Sequence, residues 1–178
     1  MTTKKATDEK QRTAEAERLY QKGVEISRTA DDSTWKTCQA EAAKWYRKAA
    51  EQGHREAQYR LGWMLETGRG TEQDAEAAFW YRKAAKKGHL EAMCALAGLY
   101  EVGHGVRQSY KLALKWYLQA AVDYDYCDAQ YHLGLLYQFG DGVEQSDAEA
   151  AKWFRAAAES GHEPAMKELE LMGEEVPD

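Results

Sequence analysis

The chain has 178 residues, with 24 Lys and Arg against 30 Asp and Glu, which gives a formal net charge of −6. This balance argues against general binding to a nucleic-acid backbone, because that requires clustered basic residues. No run approaches the roughly 18–20 apolar residues of a membrane span. The N-terminus is charged with no apolar segment behind it, so we expect no secretory signal and a cytoplasmic protein.

Residues 1–12 are polar, and we expect a flexible lead-in there. Apolar and small residues then recur on one helical face from Thr13 onward. A cluster of Asp, Ser and Thr interrupts this pattern and suits a turn and an N-cap. An Ala-, Lys- and Glu-rich helix follows and stops at Gly53. Residues 13–53 are therefore predicted to form a degenerate N-terminal helical hairpin.

The rest of the chain repeats a unit of about 35 residues, and we place three repeats at 54–88, 89–124 and 125–161. Three features recur in phase: a Leu-small pair, a Gly-x-Gly turn and a Trp-aromatic pair. The Trp-aromatic pairs are Trp45-Tyr46, Trp80-Tyr81, Trp116-Tyr117 and Trp153-Phe154, at spacings of 35, 36 and 37 residues. Such a period predicts helical hairpins that stack on their neighbours, because one unit cannot bury its apolar face alone.

Each repeated residue has a physical reason. A small residue after the leucine, as in Leu61-Gly62, Leu96-Ala97 and Leu133-Gly134, lets two helices approach closely. The turns at Gly68/Gly70, Gly103/Gly105 and Gly140/Gly142 supply positive φ angles. We expect the four tryptophans to anchor the stack, each burying on the order of 200 Å². Residues 162–173, beginning near Pro164, are predicted to be a capping helix followed by a loose tail at 174–178.

The pattern A-x-x-x-L-G-x-x-Y-x-x-G-x-G-V, followed by D-x-x-x-A-x-x-W-Y-x-K-A-A-x-x-G-H-x-x-A, resembles the Sel-one-like repeat (SLR), a relative of the tetratricopeptide repeat. The third unit fits closely, and the likeness covers roughly residues 39–166. Leu65 and Thr71 depart from the pattern, and the sequence DYDYCDA replaces the G-H-x-x-A link at 123–129. This resemblance implies an all-α fold, a right-handed α/α superhelix of helix-turn-helix repeats, and a non-catalytic adaptor role common in bacterial proteins of this type.

The residues suggest no catalytic, cofactor-binding or metal site. His54, His89 and His162 each follow a helix-ending glycine, and at one per repeat they lie too far apart to share a metal. We expect these histidines to interact with the last carbonyls of the preceding helix. Cys38, Cys94 and Cys127 lack C-x-x-C spacing, which argues against a disulfide framework or a zinc site. No nucleophile-elbow, P-loop or zincin motif occurs, so we expect no enzyme activity.

The first helix of each predicted hairpin contributes to a candidate binding groove. If each first helix faces the concave side, carboxylates and aromatic side chains recur along it and suit an extended peptide that carries Arg or Lys. A solvated helix face with packed aromatics is the competing interpretation. The candidate residues are Glu56, Tyr59, Trp63, Glu66, Glu91, Glu101, Asp128, Tyr131, Leu135 and Gln138.

Three functions remain open at this stage. The first is a monomeric adaptor that binds a protein or peptide, basic segments included, and neither nucleic acid nor membrane. The second is an immunity or inhibitor protein that neutralises a toxin or enzyme by direct binding, which compact size and acidity also suit. The third is self-assembly through stacked end repeats, against which the charged last helix argues.

Overall fold

The computed structural model describes residues 2–31, 33–68 and 74–177, and within these ranges every regular element is an α-helix. The all-α class and the tandem helical arrangement are as expected. The described residues fall into two compact units, one within residues 1–92 and the other within residues 93–178. The helices are α1 (Thr2–Arg28), α2 (Trp35–Glu51), α3 (Arg55–Glu66), α4 (Asp74–Ala85), α5 (Leu90–Val102), α6 (Tyr110–Tyr124), α7 (Cys127–Phe139), α8 (Asp147–Glu159) and α9 (Glu163–Met172).

In the first unit, α1 packs on α2, α2 on α3, and α3 on α4. Helix α1 begins at Thr2 and not at Thr13, so the stretch expected to be a flexible lead-in is helical. Residues 2–12 lack Gly and Pro, and seven of these eleven residues are Ala, Lys, Glu, Gln or Arg, which favours helix without any packing. The side chains at 6–14 are exposed, and burial begins only at Ala16 and Leu19.

In the second helix of each hairpin, the buried aromatic residue is the one that follows the tryptophan. Tyr46, Tyr81, Tyr117 and Phe154 are at most 3% exposed, whereas only Trp80 of the four tryptophans is buried, at 5%. The expectation that the tryptophans anchor the stack was therefore wrong by one residue. In α2 the buried residues Ala42, Ala43, Tyr46, Ala49 and Ala50 centre on Tyr46. At 100° per residue, Trp45 falls at the edge of that face.

The small residue of the first helix lies directly under this buried ring, as the Leu-small pairs predicted. A Cβ built on Gly62 would stand 2.7 Å from a ring carbon of Tyr81, closer than real contacts allow. Gly23 meets Tyr46 in the same way at 2.7 Å, and Gly134 meets Phe154. Ala97 takes this position in α5 and is fully buried. The glycines therefore set how closely the helices of a hairpin approach.

The described turn glycines have the backbone conformation that the sequence predicted. Gly103 and Gly105 have φ of 77° and 66°, and Gly140 and Gly142 both have 75°. Gly70 and Thr71 of the first turn lie outside the described residues. After each of the two later turns a serine caps the second helix: the hydroxyl of Ser109 or Ser146 accepts the N–H three residues ahead, of Leu112 or Glu149. The turns therefore end one helix and begin the next without leaving those donors unpaired.

In the second unit, α6 packs on α7, α7 on α8, and α8 on α9. The predicted capping helix is present: Pro164 lies in its first turn, Ala165 and Leu169 are fully buried, and Met172 packs beside them. The tail is more ordered than expected. Glu174 accepts a hydrogen bond from Arg155 at 2.9 Å, and Val176 packs against the α8–α9 core.

Gly62→Ala tests the close approach of α3 and α4. Alanine gains up to about 1 kcal/mol of helix propensity over glycine, but its methyl group would push against Tyr81. We expect a net loss of about 1–3 kcal/mol in the free energy of unfolding, measured by urea denaturation.

Gly98→Ala is the matched control, because its nearest neighbour would be the Tyr117 hydroxyl at 3.8 Å, an ordinary contact. Here we expect no loss or a gain of up to about 1 kcal/mol. Equal effects of the two substitutions would show that ring contact does not set the hairpin spacing.

Candidate functional site

A Gly-His pair joins a second helix to the next first helix at three junctions: Gly53-His54, Gly88-His89 and Gly161-His162. The glycines have φ of 93°, 76° and 80°, which ends the helix in a left-handed residue. The histidine N–H then donates to a carbonyl of the last helical turn, those of Ala49, Ala84 and Ala157, at 3.0, 3.2 and 3.1 Å. The backbone N–H of each histidine therefore satisfies one of the last carbonyls of the preceding helix.

The imidazole instead caps the following helix. Nδ1 of His54, His89 and His162 accepts the N–H of Ala57, Ala92 and Ala165, at 3.1, 3.4 and 3.2 Å. The expected interaction with the preceding carbonyls is thus made by the backbone, and the side chain has a different role. The reason is that the left-handed glycine turns the chain, so that the imidazole projects along the next helix axis.

The other ring nitrogen reaches a carboxylate of an earlier first helix. Nε2 lies 2.8 Å from Glu17 at His54, 2.9 Å from Glu56 at His89 and 3.2 Å from Asp128 at His162. The tyrosine three residues after each carboxylate, Tyr20, Tyr59 or Tyr131, stacks on the same imidazole with ring centroids 4.5, 4.4 and 4.8 Å apart. We call this arrangement of carboxylate, tyrosine and histidine the junction triad.

Hydrogen bonding assigns the protons of the triad. Because Nδ1 accepts a backbone N–H, the proton of a neutral imidazole lies on Nε2 and is donated to the carboxylate. The hydrogen bond from His89 is the main cause that lowers the pKa of Glu56 to about 2, and Arg60 adds to it at 2.8 Å. At His89 the Glu91 carboxylate also lies 3.1 Å from Nδ1, nearer than the Ala92 N–H at 3.4 Å, and this contact is a hydrogen bond only when Nδ1 carries a proton. Glu56 is therefore tied to its neighbours at neutral pH.

The junction before α7 lacks the triad. Tyr126 takes the histidine position without a side-chain cap, and Cys94 takes the tyrosine position. Asp125 replaces the left-handed glycine with φ of 52°, and its carboxylate accepts the side-chain amide of Gln130 at 2.5 Å. The sequence departs from the repeat pattern at this junction, and a hydrogen bond between Asp125 and Gln130 is present in place of the triad.

A second repeated contact ties the end of a first helix to its partner. The Tyr81 hydroxyl donates to Glu66 at 2.6 Å, and the Tyr117 hydroxyl donates to Glu101 at 3.0 Å. Burial is the first cause that raises the pKa of both tyrosines, and it also raises the pKa of Glu101. The same position in α7 is Gln138, opposite Phe154. Two of the predicted groove carboxylates are thus engaged inside their hairpins.

The predicted groove residues divide into two groups. Glu56, Tyr59, Asp128 and Tyr131 are members of junction triads, while Glu66 and Glu101 accept tyrosine hydroxyls and Leu135 packs against the α8–α9 core. Glu91 is more accessible, with 53% of its side chain exposed, and Trp63 and Gln138 are half-buried. The acidic residues therefore do not form a row of unpaired charges, although most keep one side toward solvent.

The side-chain contacts of the junction histidines are what sequence reasoning missed. A signal for them was present, because an acidic residue stands three positions before a tyrosine at Glu17/Tyr20, Glu56/Tyr59 and Asp128/Tyr131, and a Gly-His pair follows each by one repeat. Across the described residues no group of three or more His, Cys, Asp or Glu side chains is arranged to hold a metal ion. Nor does any helix in those ranges have the length and apolar character needed to cross a membrane.

Comparison with known proteins agrees with the repeated geometry. The Sel1 repeat model matches residues 39–54, 55–89, 90–121 and 127–162. The chain belongs to the Sel1 repeat family. The resemblance noted from the sequence is thereby confirmed, and the family matches leave out 122–126, where the junction triad is missing.

Two solved structures share the fold. One is a protective antigen of uropathogenic Escherichia coli with an SLR fold, at 32% identity and a TM-score of 0.79 over 93% of this chain and 35% of that chain. The other is a Sel1 repeat protein from Oxalobacter formigenes, at 31% identity and a TM-score of 0.77 over 91% and 64%. The chain thus spans about a third of the first and less than two thirds of the second. Among curated proteins there is no match.

His89→Ala tests the energy of a junction triad. It removes an N-cap, a hydrogen bond to Glu56 and the stack on Tyr59, and we expect a loss of about 2–4 kcal/mol in the free energy of unfolding at pH 7. His89→Asn keeps a capping side chain, so it should recover about 1 kcal/mol of that loss. A change below about 0.5 kcal/mol for alanine would contradict the role assigned to the triad.

Acid sensitivity follows from the pKa of Glu56. Because its folded pKa of about 2 lies below the ordinary 4.5, its contribution is complete above pH 4.5 and is lost as the pH falls toward 2. The free energy of unfolding should therefore decline less over this range in Glu56→Gln than in the wild type.

Glu101→Gln is the control of opposite sign. The pKa of Glu101 is raised, so its ionisation opposes folding as the pH rises above 4.5. This variant should lose no stability at pH 7, as judged by urea denaturation at several pH values. Parallel pH profiles for both variants would contradict the assignment.

Proposed function

We propose that this chain is a protein-binding adaptor that holds a peptide or protein segment against the solvent-facing sides of its first helices. The observation that carries the proposal is a partly exposed aromatic side chain and an exposed carboxylate on successive first helices, Trp63 on α3 and Glu91 on α5. Membership of the Sel1 repeat family supports a protein partner over a small substrate. Tryptophan and tyrosine are common at the centres of protein interfaces.

Charge supports a basic partner. Residues 93–178 carry 15 acidic and 6 basic side chains, whereas residues 1–92 carry 15 acidic and 18 basic, which together account for the 30 and 24 of the whole chain. The negative charge is therefore concentrated in the second unit. A negative surface of this kind speeds association with a basic segment and disfavours acidic competitors.

The most informative positions for a binding test are those outside the Glu56–His89 and Glu66–Tyr81 hydrogen bonds. Trp63 lies on a first helix, whereas the tryptophans of the repeat lie on second helices, and it is half-buried. Glu91 keeps 53% of its side chain exposed beside His89. A substitution of Glu66 would break its bond to Tyr81, so Glu66 is a poor choice for testing binding. Trp63 and Glu91 are the better pair.

Affinity capture with mass spectrometry tests the proposal. The wild-type chain should retain a basic protein or segment that Trp63→Ala/Glu91→Lys fails to retain, with a loss in affinity of about tenfold or more. Trp63→Ala should also leave the thermal midpoint nearly unchanged, whereas Trp80→Ala should lower the free energy of unfolding by about 3–5 kcal/mol. Equal destabilisation by both would show that Trp63 is a core residue.

The same experiment separates an adaptor from an inhibitor. An adaptor should bind several partners through one segment, with ordinary reversible affinity. A single basic enzyme captured in a tight one-to-one complex, and inactive within it, would instead assign the chain as an inhibitor or immunity protein.

A further inference from the structure

The junction between α6 and α7 differs from the other three described junctions in exposing two apolar side chains. Val122 is 66% exposed, whereas the other second helices have Glu51, Lys86 and Glu159 at its position. The left-handed residue also comes one position later here, which adds Tyr124 to the end of α6, where it is 47% exposed. One exposed valine is common on a protein surface, but a valine and a tyrosine together at one helix end form an apolar patch.

Two carboxylates flank the tyrosine. Asp123 precedes it, and Asp125 follows it and accepts the side-chain amide of Gln130 at 2.5 Å. Among the described residues, no Lys, Arg or His side chain lies within salt-bridge distance of either carboxylate. The sequence accounts for this, because residues 116–151 contain seven Asp and Glu and no Lys or Arg. The apolar patch is therefore bordered by negative charge that the described part of the chain does not pair.

Local stability does not explain Asp123. The C-terminal end of a helix carries partial negative charge, so a carboxylate in the last turn is unfavourable. Asp123 lies in the last turn of α6, which has no basic residue, and the other second helices have Gln52, Lys87 and Ser160 at this position. The Sel1 repeat matches leave out 122–126, so the repeat itself does not require the segment. A contact outside the chain would give this carboxylate a role that the helix does not.

We propose that residues 122–125 form a docking surface, the junction surface, for a basic segment of another protein. A Lys or Arg side chain of the segment would pair with Asp123 or Asp125 and lie over the Tyr124 ring. An adjoining aliphatic side chain would cover Val122. Charge complementarity decides the occupant, since both carboxylates would repel an acidic segment and a neutral one would leave them unpaired.

A labelled peptide tests the proposal on the full chain. The probe is a fluorescein-tagged dodecapeptide of Arg and Leu, its neutral counterpart is a Gln and Leu peptide, and the readout is fluorescence anisotropy. The first-helix surface is also proposed to bind basic segments, so the junction surface is measured in Trp63→Ala/Glu91→Lys. We expect this variant to bind the basic peptide and not the neutral one. Failure to bind the basic peptide would overturn the proposal.

Asp123→Asn/Asp125→Asn, added to that variant, removes both charges and keeps an oxygen that can accept the Gln130 amide. We expect the affinity for the basic peptide to fall by about fivefold or more. Tyr124→Ala should weaken it by about threefold, because the cation then loses the ring. The thermal midpoint of Asp123→Asn alone should not fall, since its charge does not stabilise α6.

Glu144→Gln/Glu170→Gln is the matched control. It removes the same charge at two exposed sites elsewhere in the second unit and should change the affinity by less than about twofold. Equal weakening by both pairs of substitutions would show attraction to the whole chain and overturn the proposal.

Other outcomes would identify a different occupant. Equal binding of a Glu and Leu peptide would show that charge does not select the segment, and the proposal would be wrong. It would also be wrong if the wild type sediments as a dimer that Tyr124→Ala abolishes, because the occupant is then a second copy of this chain.

The two proposals of basic binding can fail separately. If the wild type binds the basic peptide and Trp63→Ala/Glu91→Lys does not, the first-helix surface accounts for the binding and the junction proposal fails. If Trp63→Ala/Glu91→Lys binds as well as the wild type and Asp123→Asn/Asp125→Asn abolishes binding, the junction proposal holds and the first-helix proposal fails for this peptide.

Discussion

The contact on which each hairpin depends is a buried aromatic ring lying against a residue with little or no side chain. Tyr81 covers Gly62, Phe154 covers Gly134, and Tyr46 covers Gly23. The ring fills the space that an ordinary side chain would occupy on the first helix, and its burial removes the largest apolar surface of the second helix from water. The alanines on either side of the ring are fully buried in the second helix of each hairpin. Their small side chains allow another helix to approach closely.

Junction triads extend this packing from one hairpin to the next. A histidine with both ring nitrogens engaged links the backbone of the helix that it begins to a carboxylate of an earlier first helix, and the tyrosine stack covers its face. Helix N-termini otherwise leave N–H groups unpaired. The triad thus satisfies a local need with tertiary partners, and the junction before α7 meets the same need through Asp125 and Gln130.

Much of the fold could be predicted because its determinants are local or periodic. The helices, the glycine turns and the close approach at Gly62 and Gly134 follow from spacing and residue size. Which of Trp45 and Tyr46 is buried could not be predicted in this way. Both are large and aromatic, and neighbours in sequence differ in direction by only 100° on a helix. The histidine contacts were also missed, since the carboxylate and tyrosine partners lie 30 or more residues away and only the folded chain brings them together.

The candidate site was harder to predict because an acidic residue on a helix has the same appearance in sequence whether it binds a partner or a neighbouring side chain. Comparison between repeats helps to separate the two. Glutamate faces tyrosine at Glu66/Tyr81 and at Glu101/Tyr117, but where Phe154 removes the hydroxyl, Gln138 replaces the carboxylate. The two positions change together within one chain, which indicates that the carboxylate is there to accept that hydroxyl.

Trp63 shows no such pairing across the repeats. Gly98 and Leu135 take its place in α5 and α7 while the buried residues around them keep their character. Leu135 packs against the α8–α9 core, but a position that ranges from glycine to tryptophan is under a weaker size constraint than the one that fixes Gly62 one residue earlier. Such variation is what a surface needs if each repeat is to present a different side chain to a partner, and it is the physical reason for proposing recognition at this position and not at the paired carboxylates.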